Sequence, residues 1–288
     1  MQRPVDFFIV GAPKAGTTAL HQFLAGHPGA YLSQPKELNY FSGPELKSQS
    51  LYYKQHIVES REDYTEVFDT AETLQKIGEA SVSYLFYPEV AKRIRAYNPH
   101  AKIIILLRDP VDRAFSHYLM DYRMGLVDAP FEDIVFRASE QHELHYQQYV
   151  LLGLYHDQVK RYLDAFPDQV QIHFHKQLIR SPEQVMQSLY SFLDIDESYS
   201  PDLSERHNMS SMPRTRLVRS IYSLAPLRSA ARTLLPSAIR KPLIAALFDS
   251  EHRPTIEPAT DRMLRALYAE DIAKLELLLG KDLTDWKP

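Results

Sequence analysis

Apolar residues along this chain gather in short unbroken runs, and amphipathic stretches separate them. VDFFIV at residues 5–10 and KIIILL at 102–107 have the length and β-branched content of strands buried on both faces. Shorter strands are predicted at Ile77–Ala80 and at Val170–Phe174, where apolar and polar positions alternate, with an extended piece at Ala30–Leu32. A helix is predicted over residues 17–26, stopped by Gly26-His27-Pro28. Pro88 opens another that runs to Tyr97, and Pro110 one that runs to about Met124. Helical periodicity recurs over 153–166, 182–193 and 258–280. Strands alternating with helices predict an α/β fold in three layers, a central parallel sheet flanked by helices. Residues 1–288 are expected to form a single domain.

Composition narrows the function classes. The 288 residues hold 33 Lys+Arg against 37 Asp+Glu, a formal charge of −4, so a general nucleic-acid binder is not expected. The apolar fraction of 44% and charged fraction of 24% are those of a folded globular chain. Cysteine is absent, which removes disulfides, thiolate metal sites and cysteine nucleophiles, and fits a reducing compartment. The N-terminus does not read as a signal peptide, since its apolar run is only Phe7–Val10, and no run of 18 apolar residues is present. A cytoplasmic location is the expectation. The charge is unevenly spread: no acid lies between Glu205 and Asp249, while Arg206, Arg214, Arg216, Arg219, Arg228, Arg232, Arg240 and Lys241 do. Pro213, Pro226, Pro236 and Pro242 punctuate that stretch, so 205–250 reads as a basic lid or insertion.

The loop after the first strand carries the sharpest signal. Gly11-Ala12-Pro13-Lys14-Ala15-Gly16-Thr17-Thr18 joins a strand to a helix, turning backbone N–H groups inward at the positive end of a helix dipole. Thr17 and Thr18 add hydroxyl donors and Lys14 a full charge. The glycines have the spacing of a nucleoside-triphosphate P-loop, but Thr17 stands where that motif has its lysine. The loop is P-loop-like and built for phosphate without the usual grip on a γ-phosphate. An ATP- or GTP-dependent kinase is thereby disfavoured but stays as an alternative, as does a catalytically silent nucleotide-binding protein.

GAPKAGTTALHQFLAGHP resembles the 5′-phosphosulfate loop of sulfotransferases that use 3′-phosphoadenosine 5′-phosphosulfate (PAPS), in the heparan-sulfate-type and bacterial branch. The resemblance implies that Lys14, Ala15, Gly16, Thr17 and Thr18 hold the phosphosulfate end of the donor, with adenosine 3′,5′-bisphosphate as product. Such a donor needs a second anion site. KIIILLRDPVDRAFSHY at 102–118 supplies Arg108 at a strand's C-terminal end and Ser116 in the following helix. The pair matches the family's 3′-phosphate motif. Asp109 and Arg113 read as a local ion pair and helix cap, and His117 as a partly buried helix histidine.

Sulfuryl transfer needs a base for the acceptor proton. PKELNYF at 35–41 is similar to the E-x-x-[FY]-F stretch of the carbohydrate branch, which implies Glu37 as base, with Lys36 favouring its ionised form. Lys14 would also meet charge growing on the departing phosphate. GEASVSY at 78–84 resembles the next family block, but Ala80 stands where many carbohydrate members have a catalytic lysine; Ser81 or Ser83 is a candidate to line the site instead. No metal ligand set is expected, His173 and His175 lacking a third partner. R-x-N-x-S-x-x-P-R at 206–214 resembles the stretch folding over the nucleotide in bacterial members, making Arg214 a cofactor contact, and the closing D-L-x-x-W matches at 282–286. The expected function is PAPS-dependent sulfuryl transfer to a hydroxyl or amine of a carbohydrate, lipid or small natural product. For 206–241 two readings stay open: a lid with a basic outer face, or peripheral contact with an anionic membrane or acceptor.

Overall fold

The computed structural model describes residues 3–136, 143–203, 212–224, 242, 246–249 and 254–288. In chain order its elements are β1 (Phe7–Gly11), α1 (Thr17–Ala25), β2 (Ala30–Leu32), α2 (Gly43–Gln49), α3 (Arg61–Glu66), β3 (Lys76–Ala80), α4 (Val90–Tyr97), β4 (Lys102–Leu107), α5 (Pro110–Met124), α6 (Phe131–Phe136), α7 (Glu143–Tyr149), α8 (His156–Ala165), β5 (Val170–Phe174), α9 (His175–Arg180), α10 (Pro182–Leu193), β6 (Met212–Pro213), α11 (Arg216–Ser223), β7 (Phe248–Asp249) and a C-terminal helix (Pro258–Leu279). The chain falls into two compact units. One comprises Met1–Pro110, Leu154–His207 and Tyr268–Lys287; the other comprises Val111–Gly153, Asn208–Leu267 and Pro288.

The first unit is built on a five-stranded parallel sheet of order β2-β3-β1-β4-β5, flanked by helices. Phe7–Val10 and Ile103–Leu107 are completely buried, which is why both runs are apolar at every position. Phe7 pairs with Gly78 and with Lys102, so β1 lies between β3 and β4. A side chain at Gly78 would meet the Phe7 ring at 2.2 Å; the strands close up only because that position is glycine. The chain leaves β1 toward β2 on one side and later crosses to β4 on the other. Loops at the C-terminal ends of β1, β3 and β4 therefore collect where the winding reverses, the usual place for a ligand in such sheets.

In the second unit, Arg113 on α5 is completely buried and donates to the carbonyl oxygens of Gln148 and Tyr149. Tyr149 donates to Asp121 at 2.9 Å, tying α7 back to α5. Arg219 of α11 donates to the Tyr122 and Val127 carbonyls, pairs with Asp128 at 2.6 Å and lies 3.9 Å over the Tyr122 ring. β6 and β7 form a short antiparallel pair.

Most expected elements stand where periodicity placed them: β2, β4, α5 and α10 match residue for residue. Two helices begin later, at Val90 instead of Pro88 and at His156 instead of Gly153, the second because Leu151–Gly153 closes a separate 3₁₀ turn. The short helices α2, α3, α6, α7 and α9 are not predicted by periodicity, since six or seven residues fall short of two full turns and repeat the pattern too few times. Most of the basic stretch at 205–250 lies outside the described residues.

Candidate functional site

β1 ends at Gly11, and the chain turns through Ala12–Gly16 into α1. The turn is tied to the sheet by the Ala12 N–H, which donates to the Leu106 carbonyl at 2.7 Å, and to itself by the Ala15 N–H, which donates to the Ala12 carbonyl. Gly16 is the N-cap of α1 with φ +100°, a conformation that favours glycine. A side chain there would also crowd His175 and Leu178 at 3.2 Å. No side chain caps α1, and no acid sits in its first turn. The helix thus presents main-chain N–H groups and the positive end of its dipole to an incoming anion. Thr17 is nearly buried beneath this end and Thr18 is exposed on it. Lys14, at φ +66°, occupies the crest of the loop.

β4 delivers Arg108 to the same place. Its Nη1 donates to the main-chain carbonyl of Lys14 at 3.1 Å, and its own carbonyl accepts from the Tyr155 hydroxyl at 2.9 Å. Tyr155 is completely buried, and its N–H is held by Asp271. Arg108 therefore adjoins the first loop within one unit, its main chain braced by Tyr155. Ser116 lies on α5 in the second unit, 8% exposed, and His117 beside it is buried with Nδ1 3.1 Å from the Gln148 carbonyl. Arg214 also belongs to the second unit; its side chain is exposed and its N–H donates to the Leu247 carbonyl. Arg206 to Ser211, the remainder of that motif, lie outside the described residues.

Glu37 sits on a tight loop between β2 and α2. Its N–H donates to the Ala80 carbonyl at 2.9 Å, which sets it against the C-terminal end of β3. Glu37 and Asn39 both take positive φ, +66° and +52°. Such a path needs support, and side chains supply it: Asn39 donates to the carbonyls of Glu37 and His56, and Arg93, paired with Glu45, donates to the Phe41 carbonyl at 2.6 Å. The Glu37 side chain is 38% exposed and pairs with Lys36 at 2.6 Å, as the expectation of a cationic neighbour required. Ser81 and Ser83 serve the loop. Ser81 is completely buried, accepts from the Asn39 N–H and donates to Glu79; Ser83 donates to the Asn39 side chain at 2.7 Å.

The family profile described as a sulfotransferase domain matches residues 4–223. The chain belongs to the sulfotransferase family. A crystal structure of a sulfotransferase from Alicyclobacillus acidocaldarius is similar over 99% of both chains, with 31% identity and a TM-score of 0.74. A bifunctional heparan sulfate N-deacetylase/N-sulfotransferase 1 from Caenorhabditis briggsae is 27% identical over 67% of this chain and 23% of that protein. The membrane-associated sulfotransferase kil1 from Dictyostelium discoideum is 34% identical over 39% of this chain and 22% of that protein. The chain thus spans less than a quarter of the length of these curated relatives.

Two residues of this chain carry no motif that marks them. His21 of α1 is buried with Nε2 3.2 Å from the Ser33 carbonyl, and burial lowers its pKa, with Lys36 adding to the effect. Glu79, on β3, is completely buried; burial raises its pKa to about 7 against the hydrogen bonds of Ser81 and Tyr64. An acid on an apolar strand is the one signal that could have drawn notice. Among the described residues no cluster of His, Asp and Glu is arranged to hold a metal.

Proposed function

We propose that this chain moves a sulfuryl group from PAPS to a hydroxyl or amine acceptor. The donor set fits such a nucleotide: an uncapped helix N-terminus, a lysine and an arginine all face anionic chemistry, with no acid in the first turn of α1. Lys14, Ala15, Gly16, Thr17 and Thr18 would hold the 5′-phosphosulfate end. Arg108 and Ser116 would hold the 3′-phosphate, with Arg214 as a further contact. When bound, PAPS supplies an activated sulfuryl group and a phosphate as leaving group.

Glu37 takes the proton from the acceptor O–H or N–H as the acceptor atom bonds to sulfur. The S–O bond to phosphate breaks, and its electron pair stays on the phosphate oxygen. Lys14 meets that charge, an interaction stronger at the transition state than before it. The observation that supports this reading most is the hydrogen bond from Arg108 to the Lys14 carbonyl, because it joins the two anion-binding segments. Adenosine 3′,5′-bisphosphate is expected to raise the melting temperature at concentrations where ATP with magnesium barely does. A larger shift with ATP would favour the kinase alternative; nucleotide binding without any sulfuryl transfer would favour the silent binder.

Residues 1–288 are proposed to act as one sulfotransferase domain. Peripheral contact with an anionic membrane through 206–241 is a further part of the reading. Its support is α11, where Leu217 and Ile221 are exposed four residues apart on one helix face. No helix among the described residues is long and apolar enough to cross a membrane. Vesicles rich in phosphatidylserine should co-sediment the chain at low salt; equal recovery with neutral vesicles would end this part of the reading.

A further inference from the structure

We infer that Glu79 is a positioning residue: its buried carboxylate, acting through Ser81 and Tyr64, fixes the main-chain path that carries Glu37. The inference rests on the reading of Glu37 as the base.

Two hydroxyls donate to this carboxylate, Ser81 to Oε1 at 2.6 Å and Tyr64 to Oε2 at 2.7 Å. Both residues also meet the loop. The Asn39 N–H donates to Ser81 Oγ at 3.0 Å, and Tyr64 stacks on Tyr40 with ring centroids 4.4 Å apart. The next residue, Phe41, has its N–H on the Tyr84 hydroxyl at 3.2 Å, a bond separate from these two.

The chemistry of the hub explains why it is an acid. A hydroxyl has one proton, so its direction decides which neighbours it can accept from. In its ionised form a carboxylate only accepts. It draws the Ser81 proton toward itself and leaves a Ser81 lone pair to the Asn39 N–H. A glutamine of the same size that turned its NH₂ group to Ser81 would force that hydroxyl to point its proton at the Asn39 N–H it now accepts from, and the two donors would oppose each other. An acid sealed from water with no cationic partner among the described residues is costly, and nothing in the packing of β3 asks for one. Holding the loop accounts for it. Glu37 is two residues before Asn39, and its positive φ is sustained by these bonds and by the Ala80 carbonyl.

The test compares Glu79→Gln, Ser81→Ala, Tyr84→Phe and Glu37→Gln in the full chain. The readouts are amide exchange resolved at residues 38–42, melting temperature, affinity for adenosine 3′,5′-bisphosphate, and breakdown of PAPS with water as acceptor. Glu79→Gln should speed exchange at Asn39 by roughly tenfold or more beyond any change in β1 and β4. It should slow PAPS breakdown, while nucleotide affinity stays within about twofold. Ser81→Ala should loosen Asn39 in the same way, whereas Tyr84→Phe should loosen Phe41 and leave Asn39 held; these two decide the matter if Glu79→Gln does not fold. Unchanged exchange at Asn39, or exchange raised evenly across the sheet, would overturn the inference. Undiminished PAPS breakdown in Glu37→Gln would instead remove the base, leaving the exchange data to report separately on the hold Glu79 has on the loop.

Discussion

The two loops that meet the C-terminal end of the sheet are built in opposite ways. The loop from Gly11 to Thr18 is shaped by its own main chain: glycine at the helix N-cap, a first helical turn that no side chain caps, ties to adjacent β4. The loop from Pro35 to Phe41 has no such internal logic. It is held by side chains from far along the sequence, Glu79, Ser81, Ser83, Tyr84 and Arg93, each bonded to it or to its supports. An anion needs only donors and a dipole, which a backbone provides. A base needs one carboxylate at one position, and a single side chain on a flexible loop must be braced from outside.

The contrast can be broken first at Glu37. Glu37→Gln is expected to lower sulfuryl transfer by roughly 10²–10⁴-fold while leaving nucleotide binding intact, read by PAPS consumption and by calorimetry with adenosine 3′,5′-bisphosphate. Loss of binding instead would make Glu37 part of the cradle. Lys14→Ala should cost about 10²–10³-fold in turnover through the lost charge at the leaving group, with a smaller loss of affinity. Arg108→Ala should show the reverse balance. Affinity for the bisphosphate should drop about ten- to a hundredfold, for loss of a charge-assisted contact, with turnover of saturated enzyme less affected.

Two buried groups sharpen the comparison through pH. Glu79 binds its proton more tightly when folded, since its pKa rises from about 4.5 to about 7. Its ionisation therefore withdraws stability as pH climbs from about 4.5, and the full cost is present above about 7. Glu79→Gln should flatten that part of the stability profile, followed by urea midpoints across the range. His173 behaves in the opposite sense. Burial pushes it down to about 4, so it stays neutral in the fold while the unfolded chain takes a proton below about 6.5. Its contribution to stability should fall as pH drops from 6.5 toward 4 and level off beneath that, opposing the Glu79 contribution where the two windows overlap, and His173→Phe should remove this slope if the ring is accommodated.

Much of this was legible in the residues. The unbroken apolar runs of β1 and β4 announced a parallel sheet, because strands covered on both faces need no polar positions. Gly11, Gly16 and the paired threonines announced an anion loop for the same local reason. Arg108 and Glu37 were found by motif, and the structure brings Arg108 onto the Lys14 carbonyl and Glu37 onto the end of β3. Ser81 or Ser83 was a candidate to line the site; the hydroxyls of both hydrogen-bond into the support of the Pro35–Phe41 loop.

By itself the sequence determined what local chemistry can encode: strand runs, helix starts, and a turn whose glycines permit its conformation. Only the tertiary structure decided that Arg108 reaches back over 94 positions to the first loop, and that an acid on β3 governs a loop 42 residues earlier. Those links are hydrogen bonds between side chains and distant main chain. Their formation depends on strand order and register, which bring Gly11, Ala80 and Leu107 to the same edge of the sheet and leave no periodic trace in the chain.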